Sequence, residues 1–198
     1  MVARIVSILY FFFFCYCVRG QTFTTPASLF SAISSYKLID TKENKTVAVT
    51  LSNKPLTLFV FLSPECPVCQ GYTKTLNHLQ EKYQQQVNLY GIVPGSAYTI
   101  QDVAAFEKEY NVSFKLFIDT KQKLTRYLKA TVTPQVVLLN RKGVLIYTGA
   151  IDDWVVSLGK KRLHVTEHYV QDAIDQSLLA ATVKIKETSA VGCRINDY

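Results

Sequence analysis

The stretch LTLFVFLSPECPVC, residues 56–69, decides how this chain folds. Its first half is a continuous run of apolar and β-branched residues, which is typical of a central β-strand buried on both faces. Ser63-Pro64-Glu65 then ends the strand. Over residues 72–83 apolar side chains recur every three or four positions, which predicts a helix. Cys66 and Cys69 therefore stand where a buried strand runs into a helix.

Strands and helices alternate along the chain around this stretch. Further strands are predicted at residues 46–51, 87–93, 114–118, 136–139 and 144–148, and further helices at residues 102–110, 122–128 and 166–180. Gly143 suits the tight turn of a hairpin between the last two strands, and Thr166 suits the cap of the last helix. This order predicts an α/β domain with a mixed sheet, and we take residues 21–198 as one domain with a C-terminal extension.

The first residues differ in character from the rest. Arg4 precedes an apolar run over residues 5–18, and Arg19-Gly20-Gln21 follows. This pattern predicts a secretory signal peptide over residues 1–20, cleaved near Gly20/Gln21. The run is shorter than the about 20 residues of a spanning helix, although membrane anchoring by an uncleaved leader is the alternative. We expect an exported protein, either periplasmic or extracellular.

Composition excludes several classes of protein. Apolar residues make up 48% and charged residues 19%, as in an ordinary globular domain. The formal net charge of +7 is spread along the chain, so it does not indicate nucleic-acid binding. Two of the five cysteines lie in the predicted leader, which leaves Cys66, Cys69 and Cys193. Three cysteines are too few for a disulfide scaffold, so the close pair indicates chemistry.

The chemistry of the pair follows from its position at a helix start. Unpaired N–H groups and the helix dipole stabilise a thiolate there, so Cys66 is predicted to be an exposed, acidic nucleophile. Cys69 lies one turn further on and is predicted to be more buried and to resolve a mixed disulfide. Pro67 suits the first turn, where its missing N–H costs nothing. A zinc site would need a second pair of ligands, which the sequence does not offer.

Three segments carry a resemblance to a known family. They are FVFLSPECPVC (residues 59–69), DVAAF (102–106) and FIDTKQKLTRYLKATVTPQVVLLNRKGVLIYTG (117–149). They resemble the thioredoxin-like superfamily, in its redoxin branch of alkyl hydroperoxide reductase/thiol-specific antioxidant and TlpA-type proteins. The resemblance implies a thioredoxin-like three-layer sandwich with a central mixed β-sheet. It also implies a cis peptide bond at Thr133-Pro134, with Thr133, Pro134 and Pro67 contacting the substrate.

The sequence departs from that family at three positions. Glu65 replaces the tryptophan that precedes the first cysteine in thioredoxins, and Val60 occupies the place of their buried acid. Glu65 is an auxiliary candidate that raises the pKa of Cys66 or accepts a proton, and the alternative is a solvated loop acid. Phe59 occupies the proline position of peroxiredoxins, which makes peroxide reduction the weaker interpretation.

Cys193, which follows Gly192 in the tail, is a second auxiliary candidate. It could exchange disulfides with Cys66, join two chains, bind a metal, or be a buried unreactive thiol. The leading hypothesis is a thiol–disulfide oxidoreductase that acts on protein disulfides or thiols and receives electrons from a membrane or soluble donor. A thiol peroxidase is the alternative, and a metal (copper) chaperone that uses Cys66 and Cys69 together with Cys193 or a histidine is the third hypothesis. We expect neither a cofactor nor a nucleic-acid partner.

Overall fold

The computed structural model describes residues 33–49, 51 and 54–196, so the predicted signal peptide lies outside the described residues. The strands are β1 (Lys37–Asp40), β2 (Lys45–Ala48), β3 (Leu56–Phe61), β4 (Val87–Pro94), β5 (Lys115–Asp119), β6 (Val132–Thr133), β7 (Gln135–Asn140), β8 (Leu145–Gly149), β9 (Val155–Ser157), β10 (Lys160–Lys161) and β11 (Cys193–Arg194). The helices are α1 (Pro67–Tyr83), α2 (Ile100–Glu109), α3 (Lys123–Tyr127) and α4 (Tyr169–Leu178). In the part of the chain just given, none of the helices has the length and apolar character needed to cross a membrane.

The central sheet is mixed, as predicted. Its strand order is β2-β1-β5-β4-β3-β7-β8. Strands β3, β4 and β5 run parallel, whereas β7 is antiparallel to β3 and β8 is antiparallel to β7. Two short sheets, β9–β10 and β6–β11, lie outside it. The second of these brings Cys193 and Arg194 to the loop that precedes β7.

The alternation of side chains along β3 builds a core on each face of the sheet. Val60 belongs to the cluster that contains Leu76 of α1, and Phe59 belongs to the opposite cluster, which contains Leu124 of α3. All four side chains are fully buried. Each such burial stabilises the fold by about 1.5–3 kcal/mol. Helices thus cover both faces, and the predicted three-layer α/β architecture is confirmed.

Several local features differ from the sequence prediction, among them the unpredicted short strands β6, β9, β10 and β11. Strand β1 was not predicted, because only two of its four residues are apolar. The last helix begins at Tyr169 and not at Thr166. The Thr166 hydroxyl donates to Asp153 Oδ2 at 2.6 Å, and the Thr166 N–H donates to Asp153 Oδ1 at 2.9 Å. Thr166 therefore anchors the loop before the helix and does not cap the helix.

Candidate active site

The end of β3 and the start of α1 position the two close cysteines. Cys66 is the N-cap residue of α1 and Pro67 opens the first turn, which contains no acidic residue. The partial positive charge of the helix start is therefore uncompensated, and it favours a thiolate on Cys66 in the reduced protein. Cys69 follows one turn later, on the side of the helix that faces the core.

Cys69 is a fully buried free thiol. Burial raises the pKa of its thiol to about 12, although hydrogen bonds from Ser63 and with Thr133 act in the opposite direction. The Ser63 N–H donates to the Cys69 Sγ at 3.4 Å. Val60, in the place of the family's acid, is buried and offers no carboxylate. The Cys69 thiol is therefore protonated at neutral pH.

The disulfide of the site joins Cys66 to Cys193, across 127 residues of sequence and a Cα–Cα distance of 6.2 Å. Only 2% of the Cys66 surface is exposed. The prediction of an exposed Cys66 was therefore wrong for this form of the protein, because the bonded tail covers the sulfur. Of the roles considered for Cys193, the structure displays the disulfide with Cys66.

The loop before β7 borders this disulfide. The Thr133-Pro134 peptide bond is cis, as the resemblance implied. Both residues are buried, and the Thr133 carbonyl oxygen lies 3.2 Å from the Cys66 Sγ. Strand β11 pairs antiparallel with β6, so that Cys193 lies opposite Thr133 and Arg194 lies opposite Val132. The tail thus occupies the open backbone edge of the cis-proline loop.

Two of the predicted residues lie at the rim of the site. Glu65 and Pro67 are both exposed. The Tyr98 hydroxyl donates to Glu65 Oε2 at 3.4 Å, and it also lies 2.9 Å from the Ser63 hydroxyl. Glu65 is thus connected through the Tyr98 hydroxyl to Ser63, whose backbone N–H donates to the Cys69 sulfur. The role of Glu65 as a proton acceptor stays a prediction.

Gly192 is the residue of the site that the sequence alone did not identify. A Cβ atom at this position would lie 2.0 Å from the Thr133 carbonyl oxygen and 2.6 Å from its carbon. Glycine therefore permits the close approach of the two backbones that brings Cys193 to Cys66. The Gly-Cys dipeptide was visible in the sequence, but its partner loop lies about 60 residues away.

A family comparison bears on this site. The AhpC/TSA family matches residues 29–148, which is more than half of the chain. The chain belongs to the AhpC/TSA family. The match includes the close cysteines and the cis-proline loop, and it ends before the tail that carries Cys193. Family membership and the thiol site together support a redox enzyme in the general sense.

Solved structures support the fold of this AhpC/TSA protein. A hypothetical protein from Sinorhizobium meliloti 1021 is 25% identical, with a TM-score of 0.71 over 81% of this chain and 89% of that one. An uncharacterized conserved protein from Geobacillus kaustophilus is 21% identical, with a TM-score of 0.74 over 82% and 88%. A secreted disulfide oxidoreductase of Mycobacterium tuberculosis, homologous to E. coli DsbE, is 16% identical, with a TM-score of 0.50 over 58% and 82%. No curated protein matches the chain significantly in sequence.

In the disulfide form of this AhpC/TSA protein, few groups of the site are available to bind a metal ion. Across residues 33–49, 51 and 54–196, no three His, Cys, Asp or Glu side chains are grouped to hold an ion. Two of the three thiols named in the copper-chaperone hypothesis are joined in the Cys66–Cys193 disulfide. Cys69 is the remaining thiol, and it is buried. In this disulfide form the three thiolates of the copper-chaperone hypothesis are therefore not available together.

Proposed function

We propose that this protein is an exported thiol–disulfide oxidoreductase that exchanges disulfides with protein substrates through Cys66 and Cys69. One observation carries the proposal. The Cys66 sulfur, at a helix start and beside a cis-proline loop, is covalently bonded to a cysteine in an extended segment. A mixed disulfide with a substrate protein needs the same three elements: a nucleophilic sulfur, a partner cysteine and a backbone edge that holds the partner.

The reaction runs through two exchanges. The Cys66 thiolate attacks one sulfur of a substrate disulfide, and the other substrate sulfur leaves as a thiolate and takes up a proton. Cys69 loses its proton and attacks the Cys66 Sγ, which releases the second substrate thiol and leaves a Cys66–Cys69 disulfide. The substrate gains two electrons and the protein loses two. An electron donor, membrane-bound or soluble, then reduces the Cys66–Cys69 bond.

The cis-proline loop is the proposed substrate site. The backbone of Thr133 pairs with an extended segment in the structure, and Pro134 fixes the loop beside the Cys66 sulfur. Pro67 lies exposed on the other side of Cys66, at the helix start. Main-chain pairing of this kind recognises the backbone of the bound segment and leaves most of its side chains unspecified.

Export is part of the proposal and rests on the charged start and apolar run of residues 1–20. Expression of the full chain with a secretion-competent host tests it. The mass of the recovered protein should correspond to a chain that begins at Gln21. Recovery of the full-length chain in the membrane fraction would instead support the uncleaved anchor.

Reduction of insulin disulfides tests the enzymatic proposal. Cys66→Ser should abolish the activity, since it removes the attacking sulfur. Cys193→Ser is the matched control. Like Cys66→Ser it lacks the Cys66–Cys193 disulfide, but it keeps both Cys66 and Cys69. Loss of stability alone would impair both variants, so an active Cys193→Ser and an inactive Cys66→Ser isolate the chemistry. Unchanged turnover in Cys66→Ser would refute the proposal.

The direction of exchange is set by the reduction potential of the Cys66–Cys69 couple, measured in Cys193→Ser with a glutathione series. A potential of about −270 mV, as in thioredoxin, indicates a reductant. A potential of about −120 mV, as in DsbA, indicates a disulfide-forming oxidant.

A thiol peroxidase is the second candidate, favoured by the AhpC/TSA family match. In this case Cys66 would pass through a sulfenic acid and condense with a second thiol, with release of water. Phe59 in the peroxiredoxin proline position weighs against it. Stoichiometric peroxide consumption by the reduced protein, with a sulfenic acid trapped on Cys66, would establish it. Absence of consumption with a competent reductant excludes it.

A further inference from the structure

The C-terminal segment, residues 188–196, lies along the loop proposed to bind substrates. The Ile195 N–H donates to the Thr131 carbonyl at 3.0 Å, and the Thr133 hydroxyl donates to the Cys193 carbonyl at 3.4 Å. The Gln122 side-chain amide donates to the Asn196 carbonyl at 2.8 Å. Three hydrogen bonds to the main chain of the segment thus hold it at Cys193 and at the residues that follow the disulfide. Peptides that add a strand to the edge of a sheet are recognised in the same way, mainly through their backbone.

The register of the segment is set by Gly192. Its backbone contacts the Thr133 carbonyl so closely that a Cβ atom would overlap the oxygen at 2.0 Å. Any other residue before the cysteine would push the segment off the edge of β6, and the pairing of Cys193 with Thr133 would be lost. The edge of β6 beside Cys66, which we call the groove, therefore accepts an extended segment only with glycine immediately before the cysteine.

A second anchor holds the segment independently of the disulfide. The Thr188 N–H donates to the Thr148 carbonyl at 3.0 Å, and the Thr188 hydroxyl lies 2.6 Å from the Tyr147 hydroxyl. Gly149, with a φ of 137°, leaves room for Thr188, since a Cβ there would lie 2.2 Å from the Thr188 carbonyl oxygen. Cys193 lies five positions after Thr188, so a released Cys193 stays within about 17 Å of this anchor. Its effective concentration at Cys66 is then on the order of millimolar.

We propose that the C-terminal segment is a tethered substrate, and that Cys193 is a third exchange cysteine whose disulfide with Cys66 is resolved by Cys69. Given the disulfide exchange proposed above, this assigns the substrate class as well. External substrates bind the same edge of β6 as extended segments with glycine directly before the reacting cysteine.

The internal step needs no outside oxidant or reductant. Cys69 gives up its proton and its sulfur attacks the Cys66 Sγ, so a Cys66–Cys69 bond forms as the Cys66–Cys193 bond breaks. Cys193 leaves as a thiolate and takes up a proton from solvent. Both states contain one disulfide and one thiol, so electrons balance. Burial raises the pKa of the Cys69 thiol to about 12, so only a small fraction of Cys69 is deprotonated at neutral pH and the internal step is slow. Release of the tail uncovers the groove for an external substrate.

Disulfide mapping of the full chain tests the internal step. Protein equilibrated in a glutathione buffer is quenched with acid, digested without reduction and analysed by mass spectrometry. Wild type should contain mainly Cys66–Cys193. Gly192→Ala should shift to Cys66–Cys69, with the ratio of the two bonds changed by about tenfold or more, because backbone hydrogen bonds between the segment and β6 are lost. Cys69→Ser should retain Cys66–Cys193.

Ser189→Ala is the matched control, since this exposed side chain lies in the same segment. It should map like wild type. A Gly192→Ala protein that retains the wild-type share of Cys66–Cys193 would overturn the tethered-substrate inference.

A peptide assay tests the substrate class. The peptide SAVGCRIN, residues 189–196, is prepared as a mixed disulfide with glutathione and supplied to reduced Cys193→Ser protein, whose groove is free of a covalent tail. It should be reduced about tenfold faster than the same peptide with alanine in place of glycine. Equal rates would refute the glycine requirement.

The two proposals fail in different ways. If insulin is reduced in a Cys66-dependent manner but the peptides react equally and Gly192→Ala maps like wild type, only the tethered substrate is wrong. If neither insulin nor either peptide is reduced, the proposed oxidoreductase function is wrong, whatever the mapping shows.

Discussion

Replacement of Cys193 by serine should lower the stability of the oxidised protein by an amount that identifies which disulfide remains. The Cys66–Cys193 bond closes a loop of 127 residues. The loop-entropy relation gives about 16 cal/mol/K for a loop of that size, or about 5 kcal/mol at room temperature. If Cys66 pairs with Cys69 instead, the loop is so short that the same relation gives about 2 kcal/mol. Oxidised Cys193→Ser should therefore be about 3 kcal/mol less stable than oxidised wild type.

Urea unfolding of three samples measures this difference: oxidised wild type, oxidised Cys193→Ser and wild type in excess reductant. With m-values of about 1–3 kcal/mol/M, the midpoint of Cys193→Ser should fall by about 1–3 M relative to oxidised wild type. Reduced wild type should be the least stable of the three. Ser189→Ala controls for a change in the tail that leaves the disulfide intact. Equal midpoints for oxidised wild type and Cys193→Ser would refute the long-range cross-link.

Three other results are expected. Burial raises the pKa of the Cys69 thiol from 9.0 to about 12. At about pH 8, iodoacetamide should therefore label Cys69 about a thousandfold more slowly in the native protein than in the unfolded chain, as followed by mass spectrometry. Rapid labelling of the native protein would contradict the burial of Cys69. Tyr147→Phe should cost about 1–3 kcal/mol in urea unfolding, because the Ala150 carbonyl loses its 2.6 Å partner; an unchanged midpoint would mean that water replaces the bond. Hydrogen bonds from Thr166 hold the pKa of Asp153 at about 2, below its unfolded value of 3.8. The ionised Asp153 carboxylate therefore stabilises the fold above about pH 4, and this contribution is lost as the pH falls towards 2. Asp153→Asn should therefore be less stable than wild type at neutral pH and converge with it at low pH; a constant difference would exclude the ionised carboxylate as the cause.

The central part of the fold was predictable because its elements carry strong local signals. Strand β3 is a continuous run of apolar and β-branched residues, and Gly143, with a φ of 77°, closes the hairpin between β7 and β8 as its sequence indicated. The cis bond before Pro134 followed from the family resemblance. These features depend on a few adjacent residues, so one sequence sufficed to identify them.

The tail and the accessibility of Cys66 were not predictable, because they depend on contacts between distant segments. The sequence around Cys193 shows no apolar periodicity, and its strand has only two residues. Its position is decided by the fit of Gly192 against the Thr133 backbone. The buried state of Cys66 follows from that docking. The start of the last helix was misplaced for a similar reason, since Thr166 is held by Asp153, 13 residues earlier.

The 127-residue interval between the bonded cysteines has a consequence for the order in which the protein acquires its disulfides. Synthesis proceeds from the N-terminus at about 5–20 residues per second, so Cys66 and Cys69 emerge together several seconds before Cys193. If oxidation begins on the emerging chain, the short disulfide is the one available. The bond to Cys193 then arises late, by exchange within a domain whose sheet is already complete. Closure of the Cys66–Cys193 disulfide therefore follows the synthesis of every strand of the central sheet.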